Sequence, residues 1–100
     1  MTHGEFQPDK LNVGDWLCIA YHSNFRVKIT YIDGRKVGVT NMPYPLMYGE
    51  YWPVELTLDI ITKNQVEDVY NKYKDKRELK YVHQLQKLLR ELNIENEIEL

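Results

Sequence analysis

From Phe25 to Asp33 the chain reads "FRVKITYID", with Phe25, Val27, Ile29 and Tyr31 on one parity and Arg26, Lys28 and Thr30 on the other. A period of two is that of a β-strand with one buried face. Upstream, "LNVGDWLCIAYH" places a Gly14–Asp15 turn before a β-favouring run from Trp16 to Tyr21. Downstream, Asp33–Gly34 is a favoured hairpin dipeptide, and "KVGVT" returns with Val37 and Val39 on one face. A three-stranded antiparallel meander follows from this pattern.

The segment "NMPYPLMYGEYWP" (41–53) breaks the alternation with three prolines and one glycine. Proline denies a central strand its backbone donor, so a loop is predicted here, entering a strand near Tyr51 to Leu56. Beyond it the apolar period lengthens to about 3.6 residues, that of a helix. Thr57 can cap a short helix with Asp59 in its first turn. "NQVE" (64–67) has capping-box spacing for a second helix reaching about Tyr73, with breaks near Asn64 and Asp75. Asp75 and Glu78 form another candidate box, after which Leu79, Val82, Leu85, Leu89 and Leu92 recur at steps of three or four, with Tyr81 and Leu88 widening the stripe. A helix this short is marginal alone and is stabilised by burying its stripe, at roughly 1.5–3 kcal/mol per large apolar side chain; the apolar face of the sheet is the expected surface beneath it. Asn93 is the expected left-handed C-cap, and "IENEIEL" (94–100) alternates again, with glutamates on one side, as a closing edge strand would.

The expected architecture is one α+β domain over 11–100 behind a loose lead of residues 1–10. It comprises a small SH3-like antiparallel β-barrel at 11–56, helices packed on it at 57–92, and a short C-terminal strand at 94–100. A chain of 100 residues, 43% hydrophobic and 28% charged, is of ordinary globular composition with length for one core. No apolar run approaches the ~20 residues of a membrane span, and "MTHGEFQPDK" has neither the basic nor the apolar segment of a signal peptide. Cys18 is the single cysteine, within an apolar run, which fits a buried free thiol in a reducing cytoplasm.

Two sets of residues are candidates for binding. In the loop, Tyr44, Met47, Tyr48, Tyr51 and Trp52 supply more apolar surface than a connection needs. Part of it, Trp52 included, is expected to fold back onto the end of the barrel; what remains exposed suits contact with a protein partner, a second copy of the chain being one. The other set, Tyr21, Arg26 and Lys28 with the basic cluster Lys72, Lys74, Lys76 and Arg77, would suit single-stranded nucleic acid by base stacking and phosphate contact. A net charge of -2 argues against strong affinity of that kind.

Chemistry is harder to place. His83 has Leu79 and Lys87 at four residues and Lys80 and Gln86 at three, so it lacks a second metal ligand at helical spacing, and a role in fixing the helix to the barrel is expected. His3 could join a copper site only with an intact, free amino terminus, and removal of Met1 would abolish that geometry. No nucleophile and base, cofactor loop or metal spacing is recognisable, so a non-enzymatic protein without cofactor is expected.

"YVHQLQ" (81–86), followed by a leucine-rich helix end and "EIEL" (97–100), resembles the C-terminal signature of small uncharacterised proteins of Bacteroides and related gut bacteria, encoded among prophage and other mobile-element genes. "LNVGDWL" (11–17) and "ELTLDIITKN" (55–64) are similar to the opening and central segments of that group, although Leu58 stands where proline is usual and 65–79 is charged and helical where other members carry strands. The group has no assigned activity. The front half also resembles SH3-like barrels of the KOW or Tudor type, which often begin with a Gly–Asp turn; that resemblance concerns fold alone.

Overall fold

A computed structural model describes residues 11–100; the expected lead segment and His3 lie outside the described residues. Among the described residues the fold is α+β, with a four-stranded antiparallel sheet and three helices. The chain divides into two compact units between Val54 and Glu55, close to the expected change from strands to helices.

The first unit contains β1 (Trp16–Ile19), β2 (His22–Asp33), β3 (Lys36–Val39) and β4 (Tyr51–Pro53), in the order β3-β2-β1-β4. The sheet is open, not closed into a barrel. β2 is long enough to serve both neighbours: Val27 lies opposite Leu17 of β1, and Ile29 opposite Val39 of β3. Val27 and Ile29 point into a core with Leu11, Leu17, Val37, Val39, Leu46 and Tyr51, against which Ile19 and Met42 pack. Phe25 and Tyr31, of the same parity, are nevertheless exposed. Register explains both departures. Cys18 pairs with Arg26 but Ile19 with His22, which leaves 23–25 outside the β1 register; a second bulge between Ile29 and Tyr31 gives β2 one extra residue against β3. The Tyr31 ring then covers Gly38, where any Cβ would collide with it.

The Gly14–Asp15 turn forms as expected. Gly14 has φ +93° and donates its N–H to the Ile29 carbonyl at 2.9 Å, and the buried Asp15 carboxylate accepts the Asn12 N–H at 2.8 Å. In the β2–β3 hairpin Asp33 pairs with Lys36, so the two-residue loop is Gly34–Arg35, with Gly34 at φ +64°.

The second unit contains α1 (Leu58–Lys63), α2 (Glu67–Tyr73) and α3 (Val82–Glu91). Thr57 caps α1 as expected, its hydroxyl accepting the Ile60 N–H at 3.3 Å. The other two expected caps are corrected. Val66, not Asn64, precedes α2, because the Asn64 side chain is engaged elsewhere. α3 begins at Val82 and not after Asp75: Gln84 reaches back, its Oε1 accepting the N–H groups of Lys80 (2.7 Å) and Tyr81 (2.9 Å), while its Nε2 donates to Glu78 (2.9 Å). The leucine stripe is buried at Val82, Leu85, Leu88 and Leu89, joined by His83 and Gln86. At the far end Asn93 adopts φ +57°, the left-handed cap expected of it. The closing strand is not formed: 94–100 is neither helix nor strand, because its main chain is held by a side chain and not by a ladder.

Gln84→Ala should therefore cost about 1 kcal/mol, the usual value of a lost helix cap, and fray the first turn of α3. Urea denaturation followed by circular dichroism measures the loss, and an unchanged midpoint would show that Gln84 does not start the helix.

Candidate functional site

The aromatic loop is pinned at several points. Leu46 inserts into the core, and its main chain exchanges both hydrogen bonds with Val37, at 2.9 and 2.8 Å. The Glu50 carboxylate accepts the Met47 N–H at 2.7 Å, the Glu50 N–H donates to the Met47 carbonyl at 2.9 Å, and Gly49 turns the chain at φ +97°. On this fixed backbone Tyr44, Met47 and Tyr48 stand 59%, 51% and 49% exposed. The Arg35 guanidinium lies 5.7 Å from the Tyr48 ring centre.

Tyr51 does not join them. It is 1% exposed, and its hydroxyl donates to the Arg35 carbonyl at 3.2 Å; burial pushes its hydroxyl pKa above the usual value, the neighbouring Tyr48 adds to the rise, and Arg35 opposes it. The alternation of β4 turns Tyr51 inward, which corrects the expectation that it lines a binding surface. Trp52, half-buried, meets Tyr21 with ring centres 4.8 Å apart, so a residue from each predicted set shares one contact.

Tyr21 is 84% exposed and sits at φ +67° in the two-residue β1–β2 loop, a conformation a bulky side chain rarely takes. With His22, Asn24, Phe25 and Arg26 it lines an open groove of about 600 Å³. Of these, Tyr21 and Arg26 are among the residues expected from the sequence and the other three are not, because strict alternation sends Phe25 to the core; the one available signal is "HSN", a polar run inside a strand. Lys28 is separate from this groove and lies 5.0 Å from the Trp16 ring centre. Lys72, Lys74, Lys76 and Arg77 belong to the second unit, in and just after α2. There Lys72 and Lys76 flank the Tyr73 ring, and Arg77 is paired with Glu91, whose carboxyl pKa it lowers chiefly through their hydrogen bond.

Cys18 is buried, and its Sγ faces the carbonyls of Trp52 (3.6 Å) and Pro53 (3.8 Å) on β4. Burial raises its thiol pKa, against smaller opposing effects of Arg26 and the Trp52 backbone, which keeps the thiol protonated and weakly nucleophilic. His83 is 7% exposed and stacks on Tyr81 with ring centres 5.9 Å apart. Burial, and then the nearby Lys87 charge, lower its pKa to about 4. Among the described residues no group of three or more His, Cys, Asp or Glu could hold a metal ion, and no helix is long and apolar enough to cross a membrane.

No protein-family model, curated protein or solved structure matches the chain.

The depressed histidine pKa has a direct consequence for stability. The unfolded chain binds a proton at His83 below about pH 6.5 and the folded chain only below about 4, so this contribution is complete above 6.5 and is lost as pH falls between the two. From pH 7 to 4.5 the loss should be about 2–3 kcal/mol. Urea denaturation at both pH values measures it; His83→Gln should remove most of the slope, and an unaltered slope would assign acid sensitivity to other groups.

Proposed function

We propose that this chain is a non-enzymatic interaction module of a bacterial mobile element or prophage, acting in the cytoplasm, that docks a protein partner on the loop at 42–53. The carrying observation is that Tyr44, Met47 and Tyr48 project from a backbone fixed by Leu46 and Glu50. Aromatic and methionine side chains are enriched in protein interfaces, and a pinned loop loses little entropy when it is covered. A second copy of the chain is one occupant of this surface. The genomic setting rests on the likeness of "YVHQLQ" to the mobile-element group, and the small-barrel likeness of the first unit rests on its Gly14–Asp15 opening and its bulged antiparallel strands.

A second reading, a weak nucleic-acid-binding module of the KOW or Tudor kind, is favoured by the exposed Tyr21 ring beside Trp52 and by Phe25 and Arg26 in the adjoining groove. A base could stack there while Arg26 met a phosphate. The slightly acidic net charge and the engagement of Lys28 with Trp16 weigh against tight binding.

Tyr44→Ser with Tyr48→Ser should change stability by less than about 1 kcal/mol, whereas Tyr51→Ser should cost about 3 kcal/mol or more. In cells, a photo-cross-linking phenylalanine analogue at Tyr48 should give a discrete protein adduct that Tyr44→Ser and Met47→Ser suppress, and the analogue at the exposed Leu58 should not. Absence of an adduct at Tyr48, or the same adduct from Leu58, would end the protein-docking reading. Labelled single-stranded RNA and DNA should bind weakly or not at all; tight, steeply salt-dependent binding lost in Tyr21→Ala would put the second reading in its place.

A further inference from the structure

Residues 94–100 lie outside any helix or strand, yet they are held in place. α3 ends in a Schellman closure, in which Asn93 N–H donates to the Arg90 carbonyl (3.1 Å) and Ile94 N–H to the Leu89 carbonyl (2.9 Å). The segment then returns to Asn64 at the end of α1. There the side-chain amide meets both main-chain groups of one residue: Asn64 Nδ2 donates to the Glu99 carbonyl at 2.9 Å, and Glu99 N–H donates to Asn64 Oδ1 at 2.7 Å. Asn64 Nδ2 also donates to the Ile60 carbonyl at 2.8 Å, which fixes the amide plane, and Asn96 Nδ2 donates to the Asn64 carbonyl at 3.1 Å. Next to the clamped residue Ile98 is buried, while Glu95, Glu97 and Glu99 face solvent.

Such an arrangement recognises an extended peptide by its backbone and selects it by one side chain. The amide reads main-chain N–H and C=O as a neighbouring strand would, and the buried position demands an apolar residue. We propose that this corner of the second unit is a peptide-binding site, filled in cis by residues 94–100 and able to take the same segment from a second copy of this chain. Its ligand class is an extended acidic peptide with a branched aliphatic residue at the position of Ile98. Exchange between copies can re-form the Asn64–Glu99 hydrogen bonds and the burial of Ile98, so those contacts do not oppose it. What opposes it is the tether, which holds the cis segment at an effective concentration of about millimolar. The hinge is Asn93, whose left-handed φ of +57° asparagine tolerates and β-branched residues do not. The site lies in a different unit from the aromatic loop and does not depend on the function proposed for that loop.

The test uses the full chain and a fluorescent synthetic peptide of residues 93–100, read by anisotropy. Ile98→Asp releases the cis segment and should bind the peptide at least tenfold more tightly than the wild-type chain, whose site is filled. Adding Asn64→Ala, or methylating the Glu99 backbone nitrogen of the peptide, should weaken that binding tenfold or more. Should Ile98→Asp lose its helical circular dichroism, Asn93→Val provides the comparison: its strained hinge should also raise affinity tenfold over wild type. Absence of saturable binding to whichever variant keeps its helices, or equal binding of the N-methylated peptide, would overturn the proposal.

Discussion

Val27 and Ile29 occupy successive inward positions on β2, and each lies in a different strand pairing. Burying Val27 fixes β2 against β1, and burying Ile29 fixes it against β3, so both hairpins of the first unit depend on the register of one strand. A slip of one residue would turn both side chains to solvent and forfeit roughly 3–6 kcal/mol of apolar burial, enough to specify the register strongly. The two bulges lie outside this pair of residues. They let β2 bend and expose Phe25 and Tyr31 without disturbing the positions that hold the sheet together.

The same division separates support from surface in the aromatic loop. Leu46 and Tyr51 are buried parts of the core, and the residues between them are shaped by those anchors and by Glu50. Met47 and Tyr48, with Tyr44 two residues before the Leu46 anchor, are thus displayed beside fixed points of the backbone, the condition under which exposed aromatic area can contribute to affinity instead of being spent on ordering a flexible segment. At the β1–β2 turn Tyr21 depends on its own neighbour, Trp52, and holds an unfavourable backbone angle beside an open groove.

Much of this was legible in the residues because period and turn chemistry are local. The inward Val27 and Ile29 of β2, the Gly14–Asp15 turn, the Thr57 cap, the left-handed Asn93 and the leucine stripe each follow from side chains within a few positions of one another. What was not legible depends on distant partners. Asn64 has the sequence signature of a helix cap, but its amide is occupied by Glu99, and 94–100 alternates as a strand does, but among the described residues it is assigned to no ladder. Sheet closure is likewise set by tilt and register, not by composition. In the candidate surface, composition picked out the loop, but only the β4 pairing with β1 could assign Tyr51 to the interior and leave Tyr44 and Tyr48 outside.

Cys18 supplies an internal reporter for the seam it lies on. Its sulfur is buried and faces the carbonyls of Trp52 and Pro53, so an alkylating reagent reaches it only when the structure around β1 opens, and separation of the β1–β4 edge is one such opening. The speed at which the folded protein is alkylated therefore times the local opening around β1, with no label added and no residue changed.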